Sequence, residues 1–261
     1  MSRTIVDGIT LAYVDEGMGD PVVLLHGWGG QAASMMPFIT ALQGAYRVVA
    51  LDLPGFGESS PPPAAWGTAE YASFVEKALE SLGIARATLI GHSFGGRIAI
   101  WLASHAPSVV QALVLIDAAG IRPPVSLRRR VRQRFYKAAR TILSSRVFGT
   151  RGPVLRERLA ARYGSPDYRA ASGVMRASMV KTINLDLTGE LPSIHVPTLL
   201  LWGENDTETP VTDGQKMERL IPDSKLIVVA HAGHFSYLDN PAFVLAVVSA
   251  FLQGTRAKRV P

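Results

Sequence analysis

Short apolar runs alternate with longer amphipathic stretches along most of this chain. Thr4–Val6 and Ile9–Val14 flank an Asp7-Gly8 pair, the signature of a tight β-hairpin turn. Val22–Leu25, Arg47–Leu51, Ala87–Ile90, Ala112–Ile116, Thr198–Trp202 and Lys225–Val229 are short, mostly apolar runs without strict alternation. Such runs predict strands covered on both faces, as in a parallel sheet. Between them, Glu70–Leu82, Gly95–Ala106, Gly214–Leu220 and Ala242–Leu252 predict the helices that cover those faces. The pattern is that of an α/β domain with a mostly parallel sheet. Pro61-Pro62-Pro63 marks a stiff loop, and Thr255–Pro261 reads as a basic tail.

One segment interrupts the alternation. From Gly120 to about Leu191 no strand signal occurs. Leu127, Val131, Phe135, Ala138 and Ile142 recur at spacings of three and four, which predicts an amphipathic helix. Further helices are expected around Val154–Tyr163 and Asp167–Val180. An all-helical insertion after the sixth strand would lie over the carboxyl ends of the strands, where open α/β sheets bind ligands. The expected organisation is therefore a core of residues 1–119 and 192–261 with a cap of residues 120–191.

Charge sharpens this division. The net charge of the 261 residues is +6, but residues 120–185 hold 16 basic side chains (14 of them Arg) against Glu157 and Asp167. The remainder holds 11 basic and 19 acidic residues, so an acidic body carries a basic insertion. Arg128, Arg129, Arg132 and Arg140 fall largely off the apolar stripe of the first cap helix, as a solvated face would. The same charge could give weak contact with anionic membranes or acidic ligands. Nucleic acid is not expected, because no nucleic-acid motif or aromatic platform accompanies the arginines. The chain has no cysteine, so disulfides and thiolate chemistry are excluded. Met1–Asp7 has no apolar signal core and no apolar run is long enough to span a bilayer, so a cytoplasmic location is expected.

The chemistry centres on Gly91-His92-Ser93-Phe94-Gly95, which ends a predicted strand and opens a predicted helix. A nucleophilic serine at such a turn projects from the sheet, and small residues on either side let strand and helix approach. The following N–H, that of Phe94, lies at a helix N-terminus where a developing oxyanion is favoured. A serine needs a base, and the base needs an orienting acid. Among six histidines, His234 in Ala232-Gly233-His234-Phe235 follows a strand end and is the expected base, with His231 its main rival. His26 is expected to be structural, and the side chain of His92 is expected to point away from the serine. Asp206, after the strand Thr198–Trp202, is the expected acid, and Asp117 is the alternative acid position. His26-Gly27-Trp28-Gly29-Gly30 can supply a second oxyanion donor from the Trp28 N–H. No Lys-Ser/Thr phosphate loop, G-x-G-x-x-G helix start or paired metal-ligand spacing is present, so neither cofactor nor metal is expected.

These motifs, with Asp52-Leu53-Pro54-Gly55-Phe56-Gly57-Glu58-Ser59 and Trp202-Gly203-Glu204-Asn205-Asp206, make the chain resemble the α/β-hydrolase superfamily over nearly its whole length. The resemblance implies a sheet of roughly eight strands with helices on both faces and a helical cap. It also implies Ser93 as nucleophile, His234 as base, Asp206 as acid, and Trp28 and Phe94 as oxyanion donors. Dehalogenases and epoxide hydrolases of this fold use aspartate where Ser93 stands, so the implied activity is that of a serine hydrolase. A carboxylesterase acting on small to medium acyl esters is the leading expectation. The alternatives are a C–C bond hydrolase of meta-cleavage products, or a ligand receptor with vestigial turnover. The C–C hydrolases often carry methionine after the nucleophile and tryptophan after the histidine, where this chain has Phe94 and Phe235. An apolar pocket is expected from Phe235, Met175 and Met179, and Arg158, Arg162 and Arg176 are candidates for holding a substrate carboxylate.

Overall fold

The computed structural model describes residues 1–122 and 166–257. Eight strands form one sheet: β1 (Ser2–Val6), β2 (Ile9–Glu16), β3 (Pro21–Leu25), β4 (Arg47–Leu51), β5 (Ala87–His92), β6 (Val110–Ile116), β7 (Thr198–Gly203) and β8 (Ser224–Val229). Their order across the sheet is β1-β2-β4-β3-β5-β6-β7-β8. The hairpin β1–β2 and the β2–β4 pair are antiparallel, and every pair from β4 to β8 is parallel. The described helices are α1 (Met36–Leu42), α2 (Thr68–Ser81), α3 (Phe94–His105), α4 (Pro166–Ala170), α5 (Gly173–Ile183), α6 (Val211–Leu220), α7 (Ser236–Asp239) and α8 (Pro241–Ala257).

Alternation along each strand divides the core in two. Val23, Leu25, Val49, Leu51, Leu89, Leu113, Leu115 and Leu200 face the apolar sides of α2 and α3, including Tyr71, Val75, Ile98 and Leu102. Val22, Leu24, Val48, Ala50, Ile90, Val114 and Leu199 face α1 and α8 through Phe38, Val244 and Val248. Successive residues point to opposite faces, so continuous apolar runs are what a sheet covered on both sides requires. The outermost parallel strand departs from the expectation. β8 is only partly covered, with Val228 exposed, because nothing pairs with its outer edge among the described residues.

The other differences have local causes. Asp167–Val180 was expected to be one helix, but Ser172 is extended and Gly173 takes φ +49°, which separates α4 from α5. The amphipathic helix of Leu127–Ile142, the helix at Val154–Tyr163 and the candidates Arg158 and Arg162 lie outside the described residues. No described helix is long and apolar enough to cross a membrane.

Candidate active site

The site begins with the turn from β5 into α3. Ser93 takes φ +48° and ψ −107°, a conformation that costs a non-glycine residue on the order of 1–3 kcal/mol. The surroundings fix it. Its N–H donates to the Ile116 carbonyl at 3.0 Å, and its own carbonyl accepts from the Ala119 N–H at 3.0 Å. The flanking glycines are required by space. A Cβ at Gly95 would stand 2.0 Å from the Leu25 carbonyl oxygen, and one at Gly91 would stand 2.6 Å from the Gly95 backbone.

At this turn the Ser93 Oγ lies 3.0 Å from His234 Nε2, and His234 Nδ1 lies 2.8 Å from Asp206 Oδ2. With Nδ1 protonated and facing a carboxylate, Nε2 presents its lone pair to the Ser93 hydroxyl. Asp206 is itself fixed. Its Oδ1 accepts the N–H groups of Glu208 and Thr209 at 2.8 and 3.0 Å, and its Oδ2 accepts the Thr209 hydroxyl at 2.7 Å. Burial alone would raise the Asp206 pKa, but the hydrogen bonds from His234 and Thr209 outweigh it and hold the carboxyl below its ordinary value. Burial alone would likewise lower the His234 pKa. The Asp206 hydrogen bond and charge, with the charges of Glu208 and Asp117, raise it instead.

The remaining histidines separate cleanly. His231 has an almost fully exposed side chain at 3.8 Å from Glu204, so it is not within reach of Ser93 as a base. His26 is buried and its Nε2 accepts the Leu53 N–H at 3.0 Å, with burial pushing its pKa down to about 4. His26 therefore ties the glycine-rich loop to the Asp52–Ser59 loop. Asp52 completes that tie by accepting the Ala32 N–H at 2.6 Å and the Glu58 N–H at 2.8 Å. His92 has a partner of its own. Its ring turns under the site, where Nε2 donates to the His234 carbonyl at 2.8 Å. The two imidazole centroids are 5.0 Å apart, and burial pushes the His92 pKa down to about 3. A neutral His92 thus braces the backbone of His234.

Asp117, the alternative acid position, makes no hydrogen bond to the His234 ring among the described residues. Its Oδ1 accepts the Gly203 N–H at 2.7 Å, and its Oδ2 accepts the Ser236 hydroxyl at 2.6 Å and the Ser236 N–H at 3.1 Å. It ties the ends of β6 and β7 to the loop that carries His234.

The two expected oxyanion donors belong to the residue after the serine and to a residue of the same cleft. Phe94 is the first residue of α3, and its N–H has no intrahelical acceptor. Trp28 lies on the loop after β3, with its ring 5.1 Å from that of Phe94. Neither N–H donates a backbone hydrogen bond among the described residues. A Cβ at Gly27 would stand 2.7 Å from His92 Nδ1 and 3.5 Å from the Ser93 Cβ, so only a glycine lets this loop close on the serine.

A cleft of about 360 Å³ opens over Ser93, lined by Trp28, His92, Glu208, His234, Phe235 and Tyr237. A second, of about 250 Å³, shares Trp28 and is lined by Gly55, Phe56, Ala171 and Met175. Met175 therefore belongs to the adjoining cleft. Met179 is buried and lines neither, because it faces inward from α5. Arg176 of α5 donates to the Ala171 carbonyl at 2.7 Å and lies over the Tyr168 ring, so its guanidinium meets α4 and the link between the two helices.

The sequence model of the α/β-hydrolase fold matches residues 20–241. The chain belongs to the α/β-hydrolase family. Among curated relatives, the acetyltransferase component of the acetoin cleaving system of Cupriavidus necator is 31% identical, over 95% of this chain and 68% of that protein. Among solved structures, a bacterial membrane phospholipase A is 29% identical with a TM-score of 0.78, over 98% of this chain and 86% of the other. A thermophilic esterase from Thermogutta terrifontis is 26% identical with a TM-score of 0.74, over 98% and 99% of the two chains.

Three contributors carry little signal in the sequence. Nothing marks the His92 bond to the His234 carbonyl, and Thr209 and Glu208 have no signal beyond following Asp206 by three residues and two. Only the turn that folds residues 206–209 back on the carboxylate reveals them.

Proposed function

We propose that this α/β-hydrolase is a serine hydrolase that cleaves carboxylic esters through an acyl-enzyme. The observation that carries the reading is the continuous line Ser93 Oγ–His234 Nε2 at 3.0 Å and His234 Nδ1–Asp206 Oδ2 at 2.8 Å. Ser93 Oγ attacks the ester carbonyl and forms the C–O bond as His234 Nε2 takes its proton. Asp206 keeps the Nδ1–H tautomer and stabilises the imidazolium. The Trp28 and Phe94 N–H groups receive the oxyanion, a contribution of about 10²–10³ in rate per donor. Collapse expels the alcohol with the proton from His234. Water then attacks the acyl-enzyme by the same route and returns Ser93.

A cleft of about 360 Å³ with Trp28, Phe235 and Tyr237 in its wall suits small to medium acyl groups. Residues 120–191 are assigned as the cap, with Met175 set against Gly55. A cytoplasmic site of action and a weak affinity of the arginine-rich segment for acidic surfaces belong to the same proposal. Hydrolysis of p-nitrophenyl esters from acetate to palmitate, by the chain and by Ser93→Ala, tests it. Turnover that falls with acyl length and vanishes in the variant is expected. A folded chain without Ser93-dependent turnover of any ester would contradict it.

A further inference from the structure

Glu208 has no part in the line from Ser93 to Asp206, yet it stands beside it. Its backbone is fixed, because its N–H donates to Asp206 Oδ1 at 2.8 Å. Its side chain turns into the cleft, where Oε2 lies 3.7 Å from His234 Nε2, the nitrogen that faces Ser93. The side chain is 64% exposed, so the carboxylate is accessible to an incoming group. Among the described residues no lysine or arginine pairs with it.

The rest of the described wall carries no lysine or arginine. Beside Ser93 and His234 it consists of the Gly27–Gly30 backbone, Ser34, and the rings of Trp28, His92, Phe235 and Tyr237. His92 is kept neutral by burial, with its pKa at about 3. The aromatic rings offer faces of negative potential, which attract cations. A carboxylate placed next to the scissile bond would meet Glu208 and these rings, with no cation among the described lining residues while His234 is in the neutral form that accepts the Ser93 proton. An ammonium group would meet attraction from both.

We propose that Glu208 selects substrates by charge, favouring esters with a cationic group beside the scissile carbonyl and rejecting those with a carboxylate there. The inference rests on Ser93 being the nucleophile. It assigns a residue and a substrate class that the serine-hydrolase reading leaves open, and it opposes a dioxo acid as substrate.

Three arylboronic acids test it without requiring turnover, because boron accepts Ser93 Oγ as a fourth ligand. The probes carry a trimethylammonio, a tert-butyl or a carboxylate group at the same ring position. Binding to the full chain is followed by calorimetry at low salt. The cationic probe is expected to bind tightest and the carboxylate weakest, with about tenfold or more between them. Glu208→Gln should shrink that ratio by about tenfold, and Glu208→Lys should invert the order. Raising the salt should shrink the ratio in the wild type and leave it nearly unchanged in Glu208→Gln. The Ser93→Ala variant cannot form the bond to boron and should bind all three far more weakly. Wild-type affinity for all three in that variant contradicts Ser93 as nucleophile. An unchanged ratio in Glu208→Gln overturns the charge selection alone, as does a wild type that prefers the carboxylate probe through arginines of residues 123–165. A chain that binds no boronate overturns both.

Discussion

Asp117 and Asp206 stand past the carboxyl ends of neighbouring parallel strands, β6 and β7, and both are buried. Their partners make them different. Asp206 meets the His234 imidazole, and hydrogen bonds from His234 and Thr209 overcome burial to keep its pKa low. Asp117 meets the Gly203 N–H and both donors of Ser236. Burial dominates there and pushes its pKa up to about 6. One carboxylate is a fixed anion against a titrating ring. The other is a clasp between strand ends, at a residue with φ +46°. Position at a strand end is therefore insufficient to assign the acid. What decides is which donor each carboxylate can reach.

Replacing each acid in turn tests the contrast most severely. Asp206→Asn offers an amide N–H to Nδ1 and turns the ring to the tautomer that has no lone pair for Ser93. Turnover should fall by about 10⁴-fold, with the melting temperature little changed. Asp117→Asn sets an amide among three donors and should cost about 2–3 kcal/mol of stability, with a smaller loss of turnover than Asp206→Asn. Denaturant unfolding and ester hydrolysis on the same preparations check both. The reverse pattern would exchange the roles of the two acids.

A smaller effect concerns stability against pH. The native pKa of Asp117 lies above its ordinary value of 3.8, at about 6. Between these values the native state holds a proton that the unfolded state has released, so this group lowers stability as pH rises from about 4 to 6. Asp206 has the opposite sign, since its depressed pKa adds stability that is lost only as pH falls through the native value. Denaturant unfolding from pH 4 to 6 should therefore show a more favourable slope with rising pH in Asp117→Ala than in wild type. An identical slope would contradict the assignment.

The smallest effect is in the rate profile. His234 must be neutral to accept the Ser93 proton, and its pKa is raised above the ordinary 6.5. The acidic limb of kcat/KM should have its midpoint above that value and move down in Asp206→Asn. The charges that act on this ring are those of Asp206, Glu208 and, without a hydrogen bond, Asp117, and the neutral His92 ring lies beside it. A midpoint at or below 6.5 would contradict the pairing.

The fold was legible because alternation and burial leave a direct mark. Six apolar runs became β3 to β8, each with its inward residues divided between two helical layers. The turn at Gly91–Gly95 was legible because its glycines answer a steric demand that no other residue meets. Short elements were not. α1 has seven residues with a proline near its start, and α7 has four, too few for a period to show. Nor were contacts that join distant parts of the chain. The His92 bond to the His234 carbonyl spans 142 positions, and nothing at either end of the sequence announces it. Glu208 reads as a loop glutamate until the bend after Asp206 brings it beside Nε2.

The central claim is that Ser93 is the nucleophile activated by His234. Reaction with diethyl p-nitrophenyl phosphate tests it most directly, since attack by an activated serine forms an O–P bond and expels p-nitrophenolate. The account predicts one diethylphosphoryl group per chain, mapped to Ser93 by peptide mass, with one equivalent of p-nitrophenol released. Labelling should be lost in Ser93→Ala and much slowed in Asp206→Asn. A label on any other residue, or none on a chain that still hydrolyses esters, would contradict it.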